Sequence, residues 1–115
     1  MKVSLKRVYE PPASSDGKRI LVERLWPRGM TRQAAHVDLW LKDVAPSPAL
    51  RKWYGHEVAK WDAFQAKYRA ELESNPALEE LRRLARQGHV TLVYASKDER
   101  HNSALVLKQV LDGTA

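Results

Sequence analysis

The chain has 115 residues, a formal net charge of +6 and no cysteine. That length suits one domain spanning 1–115 and can bury a core without staples. Absence of cysteine excludes disulfides, a thiolate metal site and a cysteine nucleophile. It also fits a reducing compartment. No apolar stretch approaches the ~20 residues needed to cross a bilayer. The opening lacks the apolar core of a signal peptide, so a cytoplasmic location is expected.

The charge is uneven. Residues 1–35 hold eight Lys and Arg against three acids, a surplus of five; the other 80 residues hold twelve bases against eleven acids. A basic amino-terminal third suits an anionic partner or serves solubility.

Residues 3–8 alternate well enough for a strand. Glu10–Gly17 has the Pro, Ser, Asp and Gly of a loop. Residues 20–26 are mostly apolar, as in a strand buried on both faces, and Pro27-Arg28-Gly29 ends it. A short helical turn is possible at 31–36. Asp38–Val44 reads as a short helix capped by Asp38. Ser47-Pro48 opens another helix, with Leu50, Trp53 and Tyr54 at helical spacing and Gly55 as its stop.

A longer helix is expected over 57–73, with Val58, Trp61, Phe64 or Gln65, Tyr68 and Leu72 inward. Asn75-Pro76 caps the next, and Gly88 closes it. A strand at 90–95 and a helix at 99–112 follow. The order suits a small, mostly parallel sheet with helices packed on it. One sheet with helices on both faces is the preferred arrangement, and a two-layer α+β arrangement is its competitor.

The polar turn between the last strand and the last helix draws attention first. Loops leaving the carboxyl ends of parallel strands are where ligands bind in open α/β sheets, and a helix amino terminus favours anions. Lys97, Asp98, Arg100, His101 and Asn102 lie there. His101 suits a neutral imidazole acting as base or donor. Asp98 is either a general base or the helix cap. Asn102 orients a ligand or ties loop to helix. Lys97 adds a cation.

The second strand supplies another set. Glu23 and Arg24 are charged neighbours in an apolar segment, and burying either without a partner is costly. Arg24 offers a planar fork to phosphate or carboxylate, or a bridge that only orients elements. Arg28 reaches an anion from the Pro-Arg-Gly turn or is a solvated loop residue. Trp26 and Tyr54 are candidates to line a pocket. Trp40, Trp53, Trp61 and Tyr68 are expected in the core. An aromatic beside Arg24 or Arg28 could stack a base. His36, His56 and His89 are scattered, with no metal-ligand spacing. No metal and no cofactor are expected.

Arg7-Val-Tyr9, Leu21-Val-Glu-Arg-Leu-Trp-Pro-Arg-Gly29, Leu50-Arg-Lys-Trp-Tyr-Gly-His56 and Asp98-Glu-Arg-His-Asn102 together resemble the YeaO-like proteins. These are the short branch of a bacterial family known as domain of unknown function 488. The resemblance runs over nearly the whole chain. It implies a compact α/β domain with Arg24, Arg28, His101 and Asn102 at motif positions, and no settled activity. Longer members of the wider family have a Cys-rich ending, which is absent here, so thiol chemistry does not carry over.

Three functions are compatible with these residues. The favoured one is a small enzyme, or degenerate enzyme, binding an anionic metabolite such as a nucleotide or phosphorylated compound. Arg24, Arg28, Asn102 and Lys97 would bind it, and His101 and Asp98 would move protons. The second is a nucleic-acid-binding or regulatory module using the basic amino-terminal third. The third is a structural or partner-binding domain whose charges form internal ion pairs.

Overall fold

Segments from opposite ends of the chain lie side by side in one sheet. In the computed structural model, which describes residues 1–113, the strands are β1 (Val3–Arg7), β2 (Lys18–Leu21), β3 (Leu39–Trp40) and β4 (Val90–Tyr94). Their spatial order is β1-β4-β2-β3, and every pairing is parallel. β4 is thus central, with Leu5 beside Leu92 and Ile20 beside Leu92 on its other edge. Every residue of β4 is buried, as expected for a central parallel strand covered on both faces.

The helices are α1 (Arg32–Ala35), α2 (Pro48–Tyr54), α3 (Trp61–Glu73), α4 (Pro76–Gln87) and α5 (Ser103–Asp112). Local chemistry sets most of their ends. The Ser47 hydroxyl accepts the Leu50 N–H at 3.1 Å, Pro48 occupies the first turn, and Gly55 stops α2 with φ 54°. Asn75 caps α4 by accepting the Ala77 N–H at 2.9 Å. Both caps follow the preference for short polar side chains at helix starts.

Period-two alternation sorts the sheet's side chains onto two faces. Ile20, Val22, Leu92 and Tyr94 join the larger core with residues of α2, α3, α4 and α5. Leu21 and Val93 point the other way, into a small cluster with Val8 and Ala35. Helices therefore lie on both faces, but very unequally. Four cover one face, and only α1, with the loop around it, covers the other.

Several expectations change in detail. The second strand ends at Leu21, and the last helix begins at Ser103, not residue 99. Asp38–Val44 is not one capped helix. It is β3 followed by a 3-10 turn over Lys42–Val44. The reason is long-range. The Asp38 carboxylate accepts the Arg19 N–H at 2.8 Å, and the Asp38 N–H donates to the Arg19 carbonyl at 2.9 Å, so the residue extends the ladder to β2. Residues 58–60 form a 3-10 turn before α3, leaving Val58 54% exposed. Trp53 is also exposed, at 39%, and is flanked by Lys60 and Lys67, whose ammonium groups lie 5.0 and 5.1 Å from its ring centre. Tyr68 is fully buried, as expected, whereas Trp40 and Trp61 are half-buried.

Candidate functional site

A cleft of about 260 Å³ opens at the carboxyl ends of β2 and β4, the position where open parallel sheets bind ligands. Its polar lining comes from Glu23, Arg24, Arg51, His56, Ser96 and Asn102, with Ser103 beside the last. Tyr54 and Phe64, whose rings stack at 4.3 Å between centres, supply apolar wall.

Glu23 sits where the ladder between β2 and β4 stops. Val22 still donates its N–H to the Val93 carbonyl at 3.2 Å. Beyond it, the Ala95 N–H turns to the Glu23 carboxylate at 3.3 Å. The Trp40 indole N–H holds the Glu23 carbonyl at 2.6 Å. Burial raises the Glu23 carboxyl above its ordinary range, against the opposing pull of the Ala95 N–H, Arg51 and His56. Desolvation disfavours the carboxylate, so this group retains its proton to higher pH than a surface glutamate.

Arg24 forms another wall. Its Nε donates to the Pro46 carbonyl at 3.3 Å and its Nη2 to the Ala45 carbonyl at 3.2 Å. Asp43 lies 3.9 Å from Nη1. Much of the guanidinium fork therefore fastens residues 43–46. That segment is clamped from its far side too. Tyr68 donates to the Val44 carbonyl at 2.6 Å. Glu71 accepts the Ser47 N–H at 2.9 Å and the Ser47 hydroxyl at 2.6 Å.

His56 follows Gly55, and both are left-handed, with φ 58° and 54°. Glycine tolerates that region freely, and histidine is among the side chains enriched there. Two such residues in succession turn the chain sharply after α2 and bring His56 to the cleft that Arg51 also lines. Both side chains belong to exposed residues.

The polar turn before α5 is organised by its own side chains. Asn102, not Asp98, caps α5: its Oδ1 accepts the Leu105 N–H at 2.9 Å. Its amide nitrogen donates to the Asp98 carbonyl at 3.0 Å, and the residue is only 6% exposed. One Asp98 oxygen accepts the Arg100 and His101 N–H groups at 2.9 and 3.1 Å. The other lies 2.9 Å from His101 Nδ1. These backbone donors, with the imidazole, hold the Asp98 carboxyl below its usual range. The His101 ring meets Trp61 edge-on at 5.4 Å, and its carbonyl accepts the Tyr54 hydroxyl at 3.3 Å.

The structure thus brings Arg24 and Asn102 together in the cleft, with Tyr54. Asp98 and His101 form a hydrogen-bonded pair behind the Tyr54 wall and are not among the lining residues. Lys97 and Arg28 are exposed and also lie off the lining. The Arg28 carbonyl accepts the Tyr9 hydroxyl at 2.9 Å. Trp26 packs on the small cluster of the thinly covered face. Sequence reasoning passed over Arg51, His56, Ser96 and Ser103. The Gly55-His56 pair at the end of a helix was the one local signal for them. Among the described residues, no group of three or more His, Asp or Glu is placed to hold a metal ion. Nor is any helix among them long and apolar enough to cross a membrane.

Comparison with known proteins finds relatives that match nearly the whole chain. The model of the inactive DUF488-N3 subclade matches residues 2–115. The chain is 43% identical to the uncharacterised protein Rv3073c of Mycobacterium tuberculosis, over 97% of this chain and 95% of that protein. It is 42% identical to the uncharacterised protein YeaO of Escherichia coli, over 93% and 94% of the two. No solved structure matches.

Proposed function

The chain belongs to the YeaO-like proteins of the DUF488 family, and on that premise we propose that it is a degenerate enzyme that binds a small anionic metabolite in the cleft at the ends of β2 and β4. One observation carries this reading: Arg24, Arg51 and His56 line a cleft whose only acid among the described residues is Glu23. Arg51 and His56 are the anion-binding pair. Arg51 is the cleft's exposed guanidinium and His56 an exposed imidazole beside it, whereas Arg24 is committed to the Ala45 and Pro46 carbonyls. Ser103 opens α5 beside Asn102 and adds the amino-terminal field of a ten-residue helix, which favours negative charge.

Glu23 fits this role better protonated than ionised. A protonated carboxyl donates a hydrogen bond to a ligand oxygen and does not repel its charge. The cleft volume suits a molecule the size of a nucleotide fragment or sugar phosphate. The matching subclade is described as inactive, which favours binding without turnover. The polar chemistry is compatible with that. Asp98 and His101 are engaged with each other and with the turn, off the cleft lining. A cytoplasmic location goes with this reading, as does a chain without cysteine.

A thermal-shift screen of inorganic phosphate, nucleoside monophosphates and sugar phosphates tests it. At 100 Kd of ligand the stabilisation is about 2.7 kcal/mol, enough to raise the midpoint clearly. Arg51→Ala is expected to remove the shift. Absence of any shift across all three classes at millimolar ligand would contradict the reading.

A further inference from the structure

The sheet face that α2–α5 leave bare carries a second feature, independent of the cleft. On it, a row of aromatic rings carries cations at its margin. At the carboxyl edge of the sheet, beside this face, the Arg7 Nε donates to the Ser96 carbonyl at 2.9 Å, and its guanidinium carbon lies 5.3 Å from the centre of the Tyr9 ring. The Tyr9 hydroxyl donates to the Arg28 carbonyl. Two residues back in sequence, the Trp26 ring is covered by the Arg32 guanidinium at 4.8 Å. Trp26 meets Trp40 edge-on at 5.5 Å between centres. The Lys42 ammonium lies 5.3 Å from the Trp40 ring.

The row is open to solvent. Arg28, Arg32 and Lys42 are exposed, Tyr9 is 42% and Leu25 59% exposed, and Trp26, Met30 and Trp40 are half-buried over the small cluster. Acids occur at its ends, with Glu10 following Tyr9 and Asp43 following Lys42. The middle, Arg28 to Arg32, forms no ion pair among the described residues. Arg28 and Arg32 are two of the eight basic residues of the amino-terminal third.

We infer that this face binds single-stranded nucleic acid. Cations that track a phosphate backbone, interleaved with flat groups on which bases stack, are what such binding requires. An arginine lying on a tryptophan presents its own outer plane as a stacking surface. An acidic protein would use the cations but not the rings. A duplex would offer its phosphates and keep its bases stacked away from Trp26, Tyr9 and Trp40. Rings left partly open to solvent are therefore what favours single strands.

Fluorescence anisotropy with labelled dT and U oligomers of about 15 nucleotides tests the inference, at a length matching the usual footprint of such surfaces. Binding is expected at 50 mM salt, weakening steeply by 200 mM because counterions are released. Arg28→Ala with Arg32→Ala is expected to cost at least about tenfold in Kd. Lys18→Ala with Arg86→Ala removes the same charge from exposed positions elsewhere and is expected to cost less than about threefold. Circular dichroism and melting of both double variants check that each folds. No binding at 50 mM salt would overturn the inference. So would equal losses in the two double variants, equal affinity for duplex of the same length, or equal affinity for polyglutamate. Each would leave either nothing or charge alone. None of these results bears on the cleft, which is read by small ligands and by Arg51.

Discussion

Glu23 Oε1 lies 3.3 Å from the Ala95 nitrogen, so a titratable carboxyl takes over the bonding where two parallel strands part. Burial raises its folded-state value above the ordinary 4.5. A carboxyl raised in this way favours folding while protonated. Its contribution is full below 4.5 and is lost as pH rises through the folded value. Glu23→Gln keeps the shape and removes the titration. The variant's melting temperature relative to wild type is expected to climb as pH rises above 4.5 and then to level off. A pH-independent difference would show that Glu23 is not buried against its charge.

Asp16 is the opposite case. Burial alone would raise it, but the Ala13 N–H, Lys6 and Arg19 outweigh burial and lower it to about 2. The Arg19 guanidinium is 2.7 Å away, and its residue is 3% exposed. A lowered carboxyl contributes stability above its unfolded value of 3.8, and that contribution is lost as pH falls through about 2. Asp16→Asn leaves a buried arginine without its charge partner. The expected loss at pH 7 is about 3–5 kcal/mol, shrinking towards pH 2, measured by urea denaturation across pH.

Tyr68 is completely buried, and its hydroxyl donates to the Val44 carbonyl at 2.6 Å. Tyr68→Phe leaves that carbonyl without its donor inside the core. A destabilisation of about 1–3 kcal/mol is expected. Because the bond holds the 43–47 wall of the cleft, hydrogen exchange at Ala45 should speed up in the variant. Unchanged stability would mean that Arg24, Glu71 and the Asn75 amide, which donates to the Asp43 carbonyl at 2.9 Å, suffice to hold the wall.

Asn102 and Asp98 divide the start of α5 between them. Asn102→Ala removes the cap and the bond to the Asp98 carbonyl, at an expected cost of about 1–2 kcal/mol. Asp98→Asn retains an acceptor for the Arg100 and His101 N–H groups. Its urea midpoint is expected to stay closer to wild type. The reverse order would make Asp98 the true cap.

Elements whose ends are set by nearby residues were legible in the sequence. Ser47-Pro48, Asn75-Pro76 and Gly55 mark α2 and α4 because cap and stop act within a turn of the helix. The buried run of β4 was equally plain. What escaped depends on residues far away in the chain. Asp38 looks like a helix cap until Arg19 supplies a strand edge for it. Arg24 looks like a free anion clamp until the Ala45 and Pro46 carbonyls take two of its donors. Asp98 looked like the cap because Asn102 lies only four residues later and both residue types suit the role. Of the residues that line the cleft, the sequence pointed to Arg24, Asn102 and Tyr54. Arg51 and His56 were missed because their position depends on the sharp turn made by two successive left-handed residues.

The cleft is the central claim, and an NMR titration reads it directly. Phosphate or a nucleoside monophosphate is added to 15N-labelled protein, and amide shifts are mapped. Saturable shifts confined to His56, Ala95, Ser96 and Ser103, absent in Arg51→Ala, are the expected result. Shifts that scatter over surface lysines without saturating, or that persist unchanged in Arg51→Ala, would contradict it.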